Sequence, residues 1–145
     1  RSSDLSEATE AAAIDALAAH VREAVPDVQV QVIPGITAMQ ALAAASLTPL
    51  VEGTESLSLV PATAGLDAID DALAHADTVV AYKGGRQLKA LLDVVRAKGR
   101  DGVLGVNVGL PGQELTPLTE VDADKAPYFS TVLIPAVRTE TGGRL

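Results

Sequence analysis

Five short apolar runs punctuate this chain and restrict what it can fold into. They are "VQVQVI" (Val28 to Ile33), "SLSLVP" (Ser56 to Pro61), "DTVVAY" (Asp77 to Tyr82), "GVLGVNV" (Gly102 to Val108) and "YFSTVLIPAV" (Tyr128 to Val137). Each has the length and residue types of a strand. The first alternates strictly, as a half-buried strand should. Most of the segments between them have helical spacing. "TAMQALAAASL" follows the Pro34-Gly35 turn, with Met39, Ala43 and Leu47 on one side. "GLDAIDDALAHA" directs Leu66, Ile69 and Leu73 inward, and "RQLKALLDVVRAKG" carries a stripe of Leu88, Leu91, Leu92 and Val95. Lys98 falls at the negative end of that helix, and Gly99 suits its C-terminal cap. A further helix precedes the first run, with Ile14, Leu17, Ala18, Val21 and Val25 on one face and Asp4 and Glu7 at capping-box spacing. Strands alternating with helices define an α/β fold. The exception is "GLPGQELTPLTEVDADKAP", read as a loop of 19 residues, long enough to suspect function. A last strand reached through such a loop is expected to pair antiparallel. The expected fold is therefore α/β, with a mixed, mainly alternating strand-helix sheet.

The 145 residues suit one domain of ordinary size. The formal net charge of −8 argues against nonspecific nucleic-acid binding, which needs a basic footprint. There is no cysteine, which excludes disulfides and thiolate catalysis. No apolar run reaches membrane-spanning length and no signal peptide is visible, so a soluble, cytoplasmic protein is expected. Candidate catalytic groups are sparse. His20 and His75 lie in helices without metal-ligand spacing and read as surface or packing residues. Ser46, Ser58 and Ser130 lack a nucleophile elbow, and the aspartates of "VDADK" fall short of a calcium loop. No catalytic residue is assigned and no metal is expected. Gly84-Gly85, between a strand and a helix, reads as a tight turn or as a weak ligand loop, since "YKGGRQLK" is neither a dinucleotide fingerprint nor a P-loop. Lys83, Arg86 and Lys89 cluster beside it, as a solvated patch or a docking site for carboxylates. An enzyme built this way needs a reaction with few acid–base groups, such as transfer from an activated donor.

The ordered phrases "VIPGITAMQALAAASLTPL", "EGTESLSLVPAT", "ADTVVAYKGGR", "GLPGQ" and "APYFSTVLIP" resemble the tetrapyrrole methylases over about residues 28 to 137. "PLVEGTESLSLVPAT" and "PYFSTVLIP" look most like the precorrin-2 C(20)-methyltransferase branch. The resemblance implies a methyltransferase of cobalamin (corrin) synthesis that uses S-adenosyl-L-methionine, acts on a precorrin and forms a homodimer. It implies two α/β domains with the cofactor in the cleft between them. The family's glycine-rich first loop and "GDP" loop are not found here. Residues 1–34 are thus expected to be the end of the N-terminal domain, and 35–145 the C-terminal α/β domain. The family's V-P-G-[IV]-[TS] segment matches Pro34, Gly35, Ile36 and Thr37, followed by Ala38, which implies contact with the cofactor. Tyr82 falls where the family often has Met, and Lys83 matches a lysine common in this branch. Val108, Gly109 and Leu110 match a segment whose backbone lies on the adenine side, and Ser130 and Thr131 match the last-strand segment. This chain reads "GVNVGLPGQ" where the branch usually has a Glu-Arg-like pair, so no arginine-dependent role is expected at Asn107. Two other readings stay open. One is a methylase acting at another ring position; the other is a non-catalytic, dimerising α/β fragment. An apolar face left bare by a missing partner domain also favours self-association.

Overall fold

The computed structural model describes residues 16–31, 33, 35–82, 87–122 and 130–139. It divides the chain into two compact units, Arg1–Gly35 and Ile36–Leu145.

In the first unit, residues 16–24 form a helix, α1. Of its expected inward face, Ala18 is buried, whereas Leu17, Val21 and Val25 are exposed; Ile14 lies outside the described residues. The expected strand over Val28–Ile33 is not formed at residues 28–31 or 33. Alternation creates two faces, but a strand exists only when its N–H and C=O groups find a ladder partner. No described residue supplies one.

The second unit is a five-stranded sheet in the order β1-β2-β5-β3-β4. The strands are β1 (Leu57–Pro61), β2 (Thr78–Tyr82), β3 (Val103–Val106), β4 (Glu114–Pro117) and β5 (Ser130–Ile134). β1 and β2 pair in parallel, and β5 runs antiparallel to both β2 and β3. β1, β2 and β3 therefore point one way while β4 and β5 point the other. The mixed sheet matches expectation. The expected 19-residue loop does not hold, because β4 lies within it and pairs antiparallel with β3. Four residues ending in proline give too short a pattern to read, and proline is tolerated here because β4 is an edge strand.

Helices cover both faces. α3 (Leu66–His75) and α4 (Leu88–Ala97) pack on one side through Ile69, Leu73, Leu88, Leu91, Leu92 and Val95. They meet Val79, Ala81, Leu104, Val106, Val132 and Ile134 of the strands. Leu66 is only half-buried. The alternate strand residues Val80 and Leu133 face α2 (Ala38–Ala45), whose Leu42 is fully buried against them. Period-two alternation thus sorts each strand between two cores. α4 ends in a Schellman motif. Gly99 at φ +63° donates to Arg96 O, and Arg100 N donates to Val95 O. Lys98 bridges to Asp70 of α3 at 3.0 Å. α2 ends the same way, but with Leu47 in the left-handed position at φ 53°.

Candidate functional site

The direction of α2 defines the site. Ser46 and Thr48, just past its C-terminus, line one hollow with Asp101, Gly102 and Val103 at the start of β3. The N-terminus of α2 therefore lies toward the opposite end of the sheet, where β1, β2 and β3 finish and β5 begins. Ligands of open α/β sheets gather at such carboxyl ends. Thr37 caps α2 in a capping box: Gln40 N donates to Thr37 Oγ1 at 3.3 Å, and Thr37 N donates to Gln40 Oε1 at 3.0 Å. The T-x-x-Q spacing of Thr37 and Gln40 is the sequence signal of this box. Ala41 N donates to Thr37 O. That leaves the amides of Ala38 and Met39 without a partner among the described residues, at the positive end of the helix.

Register brings other expected residues to the same end. Tyr82 pairs with Thr131, and Thr131 with Gly105, so the three form one row across the sheet. Thr131 shares the parity of Leu133, so this row faces α2. A Cβ placed on Gly105 falls 2.6 Å from Leu42 Cδ1 and 2.6 Å from Val108 Cγ2, so Val108 folds back over the same face. The strand expected through Val108 stops at Val106, because Asn107 turns the chain at φ 49°. Gly109 and Leu110 continue as an exposed turn. Thr37, Ala38, Tyr82, Val108 and Thr131 thus occupy one end of one sheet face, and Ile36 precedes them, 82% exposed.

The other expected residues stand as follows. Gly35 belongs to the first unit. Lys83 lies outside the described residues, as do Gly84, Gly85 and Arg86. Ser130 has the parity of Val132 and points to the α3/α4 side, across the sheet from Thr131. It is 4% exposed, and its hydroxyl has no hydrogen-bond partner among the described residues. Ser130 and Thr131, expected in one segment, are set on opposite faces by the pleat.

A bidentate ion pair that no motif foretold lies at the other end of the sheet. Arg138 Nε and Nη2 donate to the two carboxylate oxygens of Glu55 at 2.9 and 2.6 Å. Glu52 N donates to the same carboxylate at 2.9 Å. The hydrogen bonds from Arg138 lead in holding the Glu55 carboxyl below its usual range, against desolvation. Arg138 is raised in return, chiefly by its hydrogen bond to Glu55. Arg100 Nη2 donates nearby to the carbonyls of Asp77 and Pro135. Glu55, Asp77, Arg100 and Arg138 border a hollow of about 420 Å³. Glu55 and Arg138 are paired with each other and Arg100 is held by backbone carbonyls, so the cluster reads as a structural clasp.

The end of the sheet marked by the α2 N-terminus carries no cluster of acid–base groups among the described residues. It offers backbone amides, an aromatic ring, hydroxyls and an apolar floor. Among the described residues, no group of three or more His, Cys, Asp or Glu side chains could hold a metal. No described helix is long and apolar enough to cross a membrane.

Solved methyltransferases share this architecture. A crystal structure of the methyltransferase CobJ superimposes with a TM-score of 0.59 at 22% identity, over 86% of this chain and 60% of that one. A cobalt precorrin-4 methyltransferase of cobalamin biosynthesis gives 0.65 at 17% identity, over 88% and 59%. The uroporphyrin-III C-methyltransferase of Thermus thermophilus, solved in complex with S-adenosylhomocysteine, gives 0.54 at 16% identity, over 74% and 53%. Residues 10–123 match the family model of the tetrapyrrole (corrin/porphyrin) methylases, and the chain belongs to that family. Among curated relatives, the precorrin-2 C(20)-methyltransferase of Sinorhizobium sp. is 39% identical over 108 residues, covering 73% of this chain and 44% of that protein. The cobalt-precorrin-2 C(20)-methyltransferase of Salmonella typhimurium is 36% identical over 110 residues, covering 72% and 46%. The cobalamin biosynthesis protein CobIJ of Mycobacterium tuberculosis is 34% identical over 109 residues, covering 74% and 22%. The chain thus spans less than half the length of these relatives.

Proposed function

We propose that this chain is part of an S-adenosyl-L-methionine-dependent methyltransferase of cobalamin biosynthesis that methylates precorrin-2 at C-20. The observation that carries this reading is the 39% identity to a precorrin-2 C(20)-methyltransferase, together with the expected residues that meet at one end of the sheet. Thr37, Ala38, Tyr82, Val108 and Thr131 are assigned to the cofactor wall, with Ile36, Gly109 and Leu110 at its rim. Gly35 and Lys83 remain assigned to it on family pattern alone. Residues 1–34 are assigned to the end of an N-terminal domain and 35–145 to the C-terminal one. A cytoplasmic homodimer is the expected state.

The residues fit the cofactor chemically. The free amides of Ala38 and Met39, at the positive end of α2, suit an anionic or hydrogen-bond-accepting part of a ligand. Tyr82 supplies a flat face, and Val108 with Leu42 an apolar floor. When bound, S-adenosylmethionine supplies a methyl group already activated on a sulfonium. The protein's task is then to orient and to exclude water, and proximity provides most of the acceleration. This accounts for a site without histidine, cysteine or paired carboxylates. Lys89, with Lys83 and Arg86, is the basic group available to a carboxylate-rich precorrin in a chain of net charge −8.

Calorimetric titration with S-adenosylhomocysteine tests the cofactor wall. Saturable one-to-one binding is expected. A chain that is folded by circular dichroism yet takes up no heat at millimolar ligand refutes cofactor binding by this chain. Methyl transfer by the full-length protein over a panel of precorrins separates C-20 methylation from action at another ring position.

A further inference from the structure

The turn after β3 is held by a side-chain hydrogen bond from Gly109 N to Gln113 Oε1. Asn107, Gly109 and Gly112 are all left-handed, at φ 49°, 79° and 82°. Two backbone bonds close consecutive turns: Leu110 N donates to Asn107 O at 2.9 Å, and Gln113 N donates to Leu110 O at 3.2 Å. A third bond ties the second turn back to the first, with Gly109 N donating to Gln113 Oε1 at 2.9 Å. The amides of Gly109 and Leu110 are thereby consumed. The Val108 amide and the carbonyls of Val108 and Gly109 have no partner among the described residues.

Gly109 and Gln113 are both exposed. Water can replace the carboxamide on the Gly109 amide, so the bond contributes little to global stability. Its effect is on conformation. Two glycines and an asparagine give this segment several backbone states of similar energy, and the side-chain bond selects one. We propose that Gln113 is the positioning residue of the ligand-facing turn. Its carboxamide clamps Gly109 N–H, so that the free backbone groups of Val108 and Gly109 are presented as a preorganised donor–acceptor set. A ligand edge carrying one acceptor and one donor, as on an aminopyrimidine ring, is the chemistry that this set recognises. The inference rests on the cofactor reading above for what the turn faces.

The test compares the unmodified chain with Gln113→Ala, Gln113→Met and Gln113→Glu. Amide exchange at Gly109 and S-adenosylhomocysteine affinity are measured at neutral pH, with melting temperature as a control. In Gln113→Ala the Gly109 amide is expected to lose its protection. Affinity should fall about three- to tenfold, the usual worth of one hydrogen bond, while the melting temperature stays in place. Gln113→Glu keeps an acceptor and should restore both readouts, whereas Gln113→Met, which keeps the length without an amide acceptor, should behave like Gln113→Ala; a volume effect at this position does not explain that contrast. The proposal is overturned if Gln113→Ala leaves exchange at Gly109 unchanged, or if it binds as tightly as an unmodified chain that itself binds. Failure of the unmodified chain to bind overturns the cofactor reading and, with it, the role assigned to Gln113. The two failures are told apart by whether the unmodified chain binds.

Discussion

Two glycines near β3 face different neighbours, and alanine at each should have very different costs. At Gly102 a Cβ falls 2.1 Å from the backbone oxygen of Leu133 and 3.1 Å from Ile134 Cα. Both atoms belong to β5, which is paired on both sides, to β2 and to β3. Relief requires parting β3 from β5 at the Val103–Leu133 pair. The Gly102 carbonyl also accepts from Leu118 N at 3.0 Å, so that contact moves as well. At Gly105 the obstacles are side-chain ends, Leu42 Cδ1 and Val108 Cγ2, each at 2.6 Å. Leu42 is fully buried, but Val108 is half-buried and can turn outward. Overpacking of that kind costs about 1–3 kcal/mol, which for a chain of this size lowers the melting temperature by about 2–4 °C per kcal/mol. Gly102→Ala should exceed about 4 kcal/mol, because neither partner is a flexible side chain. A domain of ordinary stability, with about 5–15 kcal/mol in hand, is brought close to unfolding by that loss. Circular dichroism melts of both variants decide the matter. Leu42→Ala in the Gly105→Ala background should cost less than the sum of the single changes, since one opens the space the other fills. If Gly102→Ala melts as high as Gly105→Ala, the rigid backbone contact assigned to Gly102 is wrong.

Other outcomes follow from the clasp and from the end of α2. The folded pKa of Glu55 is lowered, chiefly by its hydrogen bonds to Arg138. The stability it adds is therefore present above the ordinary carboxyl value of 4.5 and is lost as pH falls through the lower folded value. Glu55→Gln should flatten the acid limb of the melting temperature as pH falls below the ordinary carboxyl value; an unchanged slope there refutes a folded-state role for this carboxylate. Leu47 is 90% exposed and left-handed at φ 53°. Leu47→Gly should stabilise the chain by roughly 0.5–1.5 kcal/mol, by releasing backbone strain at a Schellman position. A fall in urea midpoint for this variant counts against the left-handed assignment.

Local chemistry alone specified a good part of this molecule. The stripe of Leu88, Leu91, Leu92 and Val95 placed α4 and its buried face, and Gly99 its end, because a helix is stabilised by neighbours three and four residues away. The apolar run ending at Tyr82 gave β2 its place for a similar reason: a strand buried on both faces needs little but β-branched and aliphatic residues. The ordered phrases from "VIPGIT" to "STVLIP" indicated the family, and the structure sets the matching residues Tyr82, Val108 and Thr131 toward one end of one sheet face. The tertiary structure decided what depends on distant partners. "VQVQVI" has the pattern of a strand and no ladder among the described residues, while "ELTP" has almost no pattern and becomes β4 because β3 offers it an edge. The insertion of β5 between β2 and β3 sets the row Tyr82–Thr131–Gly105, and no spacing along the chain encodes that register. Ser130 and Thr131, adjacent in sequence, part to opposite faces because a strand has a period of two. The hold of Gln113 on Gly109 and of Arg138 on Glu55 exists only once the backbone has brought donor and acceptor together, since each bond joins groups that are too common in sequence to announce themselves.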